Sequence, residues 1–442
     1  MRPLRPSPGP GRGWRHTQRC AALAARGPAP PLAGPVAGAA RGRRWPGLAG
    51  GGPAAARLPS WPGARRPAGR GLIPTPPSPK PDPLPAHPAA PPSRPCRPLL
   101  VGYYGEHNLG DDALLDVLLR QLPAQAEPIA TARDQRLVAR RFGVACVDRG
   151  SLPEVMAALA GSTALILGGG SLLQDSTSFR SLLYYAALIL LARGLGKPVL
   201  LWAQGLGPLR RRRSRLLVRA LLAQTTACSW RDPSSAALAR SLGWRPRPWQ
   251  SGVGSDPVWT VPPLPWHGQG GPLLLCFRPT AQLQGQAWRP WLDCIDRLAP
   301  EREVIWVPFH AGQDRGLLDQ LRQQNLVPEG LSRRSRELLP QTPTEAMDLF
   351  AGSGLVLAMR LHGLILAAVS GAPVAALSYD PKVQAAASAL GCPVHDLAEP
   401  LPQEHLVAAW QGCLDQPASA ERLALLRQAG GLHAELFTGL LG

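Results

Sequence analysis

Leu99-Leu100-Val101-Gly102-Tyr103-Tyr104-Gly105-Glu106-His107-Asn108-Leu109-Gly110-Asp111-Asp112-Ala113-Leu114-Leu115 is the stretch from which the fold is read. A short apolar run ends in glycine, a polar loop follows, and Leu114, Leu115, Leu118, Leu119 and Leu122 then recur at helical spacing. This strand–loop–helix grammar repeats. Strands are expected at Ala164–Leu167, Pro198–Ala203 and Thr225–Trp230, with helices over Ser181–Arg193 and Pro233–Leu242. After a Pro/Trp-rich stretch at 257–270, strands are expected at Leu273–Phe277, Val304–Pro308, Leu355–Met359 and Val374–Ser378. Helices are expected there over Trp288–Leu298, Gln313–Gln323, Thr344–Ala351, Leu361–Ser370 and Pro381–Leu390. Alternating strand and helix implies parallel sheets covered on both faces. Two such blocks joined by a proline-rich linker give an α/β architecture of two Rossmann-like lobes facing a cleft. Their ligands should lie at the loops beyond the strand carboxyl ends.

Residues 1–97 read differently. They hold sixteen of the 48 Lys and Arg residues and one acid, Asp82, in a background of Pro, Gly and Ala. Without apolar periodicity such a segment cannot offset its chain entropy and is expected to be disordered. It is read as a dispensable tail or the product of an upstream start, ahead of a basic membrane-touching tail or a targeting peptide. The remaining 345 residues carry 32 basic and 28 acidic side chains. That near balance argues against a nucleic-acid partner, which needs a clustered basic face. The eight cysteines form no CxxC pair, so reduced thiols in the cytoplasm are expected. The longest apolar run, Leu182–Ala192, is well short of the ~20 residues of a membrane span.

The loops hold the chemistry. Asn108, Asp111 and Asp112 follow the first strand, where either aspartate could also cap the helix. Gly168-Gly169-Gly170-Ser171, with Asp175 after it, offers backbone N–H groups to an anion or a sugar hydroxyl, or makes a tight turn. Gln204-Gly205-Leu206-Gly207-Pro208 is a similar loop; neither is a dinucleotide fingerprint or a Walker A motif. Arg231, in Ser229-Trp230-Arg231-Asp232, can fork onto a carboxylate or phosphate, or pair with Asp232. Arg360 and His362 interrupt an otherwise apolar stretch, where a cation should face an anion. Lys382, in Ser378-Tyr379-Asp380-Pro381-Lys382, is one of two lysines beyond residue 97. Pro308-Phe309-His310 with Asp314 reads as a helix cap. The run Arg210–Arg213 with Arg215 is read as a solvated helix start, or as a contact for a lipid-linked diphosphate or the membrane surface.

Taken in order, GYYGEHNLGDDALL, GGGSLLQD, AQGLGPL, SWRD, MRLHGLILAA and SYDPKV resemble the CsaB type of polysaccharide pyruvyl transferase over residues 98–400. The resemblance implies a GT-B-like fold, with an acceptor domain over 98–260 and a donor domain over 271–442. It implies phosphoenolpyruvate as donor substrate and no cofactor or metal. The acceptor is expected to be a lipid-linked envelope glycan, reached in the cytoplasm with peripheral contact at the inner face of the membrane. A role in cell-wall polysaccharide assembly and S-layer anchoring goes with it. Arg231, Arg360, Leu361 and His362 carry over as donor-binding residues, with Lys382 beside them. His362, Arg360, Asp111 and Asp112 are then the expected catalytic set, and Asn108, Asp111, Gly169, Gly170, Ser171 and Asp175 the acceptor set. A nucleotide-sugar glycosyltransferase and a non-catalytic glycan-binding protein are the competing readings.

Overall fold

A computed structural model describes residues 96–176, 178–246 and 251–438; the segment expected to be disordered, up to residue 95, lies outside the described residues. The first lobe is a seven-stranded sheet in the order β3-β2-β1-β4-β5-β6-β7. Its strands are Pro98–Tyr104 (β1), Ile129–Ala132 (β2), Ala145–Asp148 (β3), Ala164–Gly168 (β4), Val199–Gln204 (β5), Ala227–Trp230 (β6) and Ser251–Val253 (β7). The second is six-stranded, in the order β10-β9-β8-β11-β12-β13. It comprises Leu273–Cys276 (β8), Val304–Trp306 (β9), Ser335–Glu337 (β10), Leu355–Ala358 (β11), Val374–Ser378 (β12) and Val394–Asp396 (β13). Every pairing in both sheets is parallel.

Central strands such as β1, β4 and β5 are buried along almost their whole length, which is why they read as continuous apolar runs. The strands β2, β3, β7, β10 and β13, all but β2 at sheet edges, have only three or four residues each and escaped the sequence reading. The helix expected over Gln313–Gln323 is broken into Ala311–Asp314 and Leu317–Gln323 because Gly316 takes a left-handed φ of 76°. The first helix begins at Leu109, ahead of the periodic leucines, and is capped by Asn108 rather than by an aspartate.

Chain order reverses between β1 and β4 in one sheet and between β8 and β11 in the other. These are the switch points where crossover helices diverge and leave a crevice. The loops after β1 and β4 and the loop after β11 carry the motifs singled out above. The lobes are joined directly there: Leu109 donates to the Phe309 carbonyl at 3.0 Å and Ala311 to the His107 carbonyl at 3.0 Å. The chain end returns to the first lobe. His433 meets the Ser255 carbonyl at 2.7 Å and lies edge-on to Trp202, and Phe437 is buried beyond it. Phe437→Ala should therefore cost about 3–5 kcal/mol, read as a lowered midpoint in urea unfolding.

Candidate functional site

Three Asp-Pro dipeptides build the site. Asp232, Asp256 and Asp380 each cap a helical turn whose first residue is proline, at Pro233–Ser241, Pro257–Thr260 and Pro381–Leu390. All three line one cavity of about 730 Å³ between the lobes, together with Arg210, Arg231, Leu361, Tyr379 and Lys382. Two of the three carboxylates are spent on their own helices. Asp232 accepts from the Ser235 N–H and from the Ser234 and Ser235 hydroxyls, and Asp380 from the Lys382 N–H.

Asp256 does more. Its Oδ2 accepts from Arg231 Nη1 at 3.1 Å and stands 3.6 Å from His362 Nε2, while Oδ1 takes the Val258 N–H. Burial would raise this carboxyl, but His362, Arg231 and the hydrogen bonds outweigh it and hold it well below the usual range. Arg231 is 7% exposed. It pairs with Asp256, not with the neighbouring Asp232, and its Nη2 reaches Ser171 Oγ at 3.0 Å. Glycine makes the close approach feasible: a Cβ on Gly205 would collide with Ser171 and Arg231, and one on Gly110 with the His362 ring.

Asp111 faces the same group from the first lobe. Asn108 Nδ2 donates to it at 2.5 Å while the Asn108 Oδ1 accepts from the Gly110 N–H. Burial, with Asp112 adjoining, lifts Asp111 to about 6 against the pull of His362. Lys382 is pulled down to about 8, by burial and then by Arg231, against Asp380, Asp232 and Asp256. The helix Leu361–Val369 begins at this point with no side-chain cap on its first N–H groups.

Other expected residues are placed elsewhere or already engaged. Arg360 does not present a free fork: Asp314, fully buried, grips its Nε at 2.9 Å and its Nη2, and Gln313 adds a bond at 3.0 Å. Asp314 also accepts the Phe309 and His310 N–H groups, so this pair braces the loops after β9 and β11. Asp112 turns away onto Arg141, whose Nη2 also holds the Gln341 carbonyl at 2.6 Å. Asp175 accepts the Arg210 and Arg211 N–H groups at 2.8 and 2.9 Å. Gly169 and Gly170 take φ of 65° and 71°, and Gln204 Nε2 ties down the Gly169 carbonyl, so they shape the turn that presents Ser171. Arg278, not singled out in the sequence, lies over the Tyr379 ring and donates to its hydroxyl at 3.0 Å. Asp256 was likewise missed, although it shares the Asp-Pro pattern of Asp232-Pro233 and Asp380-Pro381.

Two parallel-sheet lobes enclosing a cavity lined with cations make this a GT-B-like α/β protein. Solved structures bear out the fold. A UDP-GlcNAc 2-epimerase from Methanocaldococcus jannaschii superposes with a TM-score of 0.54 at 12% identity, covering 78% of this chain and 99% of its own. The enzyme of the same description from Neisseria meningitidis, bound to UDP-GlcNAc, gives 0.51 at 12% identity over 78% of this chain and 100% of its own. At such identities the likeness concerns fold alone. No curated protein matches the chain in sequence. Residues 108–381 match the family described as polysaccharide pyruvyl transferase, and the chain belongs to that family.

The raised Asp111 carboxyl has a consequence for stability. The unfolded chain loses this proton near pH 4 and the folded chain near pH 6, so the folded state is progressively penalised as pH rises between them. Asp111→Asn should gain on the order of 2 kcal/mol over the parent on going from pH 4 to pH 7, measured by urea unfolding at both values.

Proposed function

We propose that the chain transfers the pyruvyl unit of phosphoenolpyruvate onto a sugar of an envelope polysaccharide as a ketal, in the manner of the CsaB type. The observation that carries this reading is the pairing of Arg231 and Lys382 on the interlobe cavity, beside the uncapped start of the helix Leu361–Val369. Two cations and a free helix N-terminus suit a small molecule that bears both a carboxylate and a phosphate. Asp232 and Asp380 are committed to their helix caps, while Asp256 offsets part of the charge of Arg231 and His362 and holds both in place.

In this proposal Arg231 and Lys382 hold the two anionic groups of the donor, Leu361 packs against it, and Arg360 positions the helix start that carries His362. His362 gives a proton to the methylene carbon. A sugar hydroxyl adds at the adjacent carbon, losing its proton to Asp111, whose carboxyl near 6 is suited to base work at neutral pH. A second hydroxyl of the same sugar then attacks that carbon, the carbon–oxygen bond to phosphate breaks, and inorganic phosphate leaves carrying the proton of that hydroxyl. Asn108, Ser171 and the turn at Gly169-Gly170 steer the acceptor, which we take to be lipid-linked and reached from the cytoplasm. The ketal would then mark a cell-wall glycan, as in S-layer anchoring.

Incubation with phosphoenolpyruvate and a panel of glycosyl acceptors should release phosphate and add to the acceptor the mass of pyruvic acid less one water. Release of a nucleoside diphosphate from a nucleotide-sugar instead would establish the glycosyltransferase alternative. His362→Ala should keep its fold by circular dichroism while turnover drops about 10²–10⁴-fold; unchanged activity would remove the acid role. Because Lys382 loses its charge near pH 8, KM for the donor should climb as pH passes upward through that value, and a Lys382→Met variant should lack that climb.

A further inference from the structure

Between Asp175 and Asp232 the chain holds no acidic residue and ten basic ones. The near balance of charge over residues 98–442 therefore conceals a strong segregation. In space, eight of these basic residues are exposed arginines on or beside two helices packed side by side, Phe179–Gly194 and Arg212–Leu222. Arg213 lies 4.2 Å over the Phe179 ring and joins them. None of the eight forms an ion pair among the described residues. Arg210–Arg213 also crowd the positive end of the second helix, which opposes its dipole. Asp175 offsets only the main-chain N–H groups of Arg210 and Arg211.

The same face bears leucines. Leu183, Ala187 and Leu190 form one exposed stripe of the first helix, and Leu216 projects from the second among Arg212, Arg215 and Arg219. Leu216 is 67% exposed, Leu190 52% and Leu183 46%. Aliphatic side chains interleaved with arginines fit an interface between acyl chains and anionic headgroups. A nucleic acid would use the charge but would gain nothing from the leucines. We infer that this two-helix face docks the protein on an anionic bilayer surface. Arg210 belongs both to this face and to the interlobe cavity, so docking would bring the cavity mouth close to the membrane. The inference stands apart from the reaction proposed above.

The test is sedimentation of the full chain with vesicles of phosphatidylglycerol in phosphatidylcholine, beside pure phosphatidylcholine vesicles and a single-stranded RNA. The chain should partition onto the anionic vesicles, less so at high salt, and not onto the neutral ones. Arg212→Gln, Arg215→Gln and Arg219→Gln together should lower the partition coefficient on the order of a hundred-fold, whereas lysine at the same three positions should retain it. Leu216→Ser, which removes the aliphatic contact without changing the charge, should weaken vesicle binding and leave any RNA binding unchanged. Wild-type partitioning by the triple glutamine variant would overturn the inference and shift the binding to residues 1–95 or another face. Equal binding to neutral vesicles, or Leu216→Ser without effect, would overturn it as well.

Discussion

One buried carboxylate organises this molecule. Asp256 stands between the lobes and holds Arg231, from the end of the first sheet, while standing within ion-pair reach of His362, from the second. Taking three ionisable groups out of water is costly, and such a cluster persists only because each member finds a counter-charge or a hydrogen bond. Orientation is the return on that cost. Arg231 is held at one edge by Asp256 and at another by Ser171, and His362 is confined between Asp256 and the bare backbone of Gly110. A cation pinned in this way loses little freedom when an anion arrives.

The surroundings follow from that constraint. The three Asp-Pro turns aim helix starts at one cavity, so that capping carboxylates and helix dipoles alternate around it. Arg360 lends its charge to Asp314 rather than to the cavity, which couples the loop after β9 to the start of the helix carrying His362. The main-chain bridge between residues 107–109 and 309–311 ties the lobes together beside Asn108 and Asp111. The pocket is thus braced from several directions by groups that do not themselves line it.

Much of this was legible in the sequence. Long, fully buried central strands announce themselves as apolar runs, and the loops that follow them, rich in glycine and charge, coincide with the topological switch points. Arg231, His362, Asp111 and Lys382 could be picked out as charged residues at strand–helix junctions, though each also had a structural reading such as a helix cap or a local ion pair. Asp256 was hidden because its role depends on residues 25 positions before it and 106 after it. Arg360 and Asp112 were overvalued for a related reason: a charge in a motif gives no indication of the counter-ion that folding will bring to it.

The amino-acid order alone determined the two-lobed parallel architecture, because strand burial and helical periodicity are local patterns that survive in one dimension. It also determined the family, because short motifs in a set order are specific even when each is weak. Only the tertiary structure decided which charges are free. Whether an arginine binds a ligand or a neighbour is settled by distances of 3 Å between residues far apart in the chain, and no spacing rule encodes those. The segregation of arginines and leucines onto one two-helix face has the same origin: the run is visible in sequence, but its exposure and its lack of acidic partners emerge only when the helices pack.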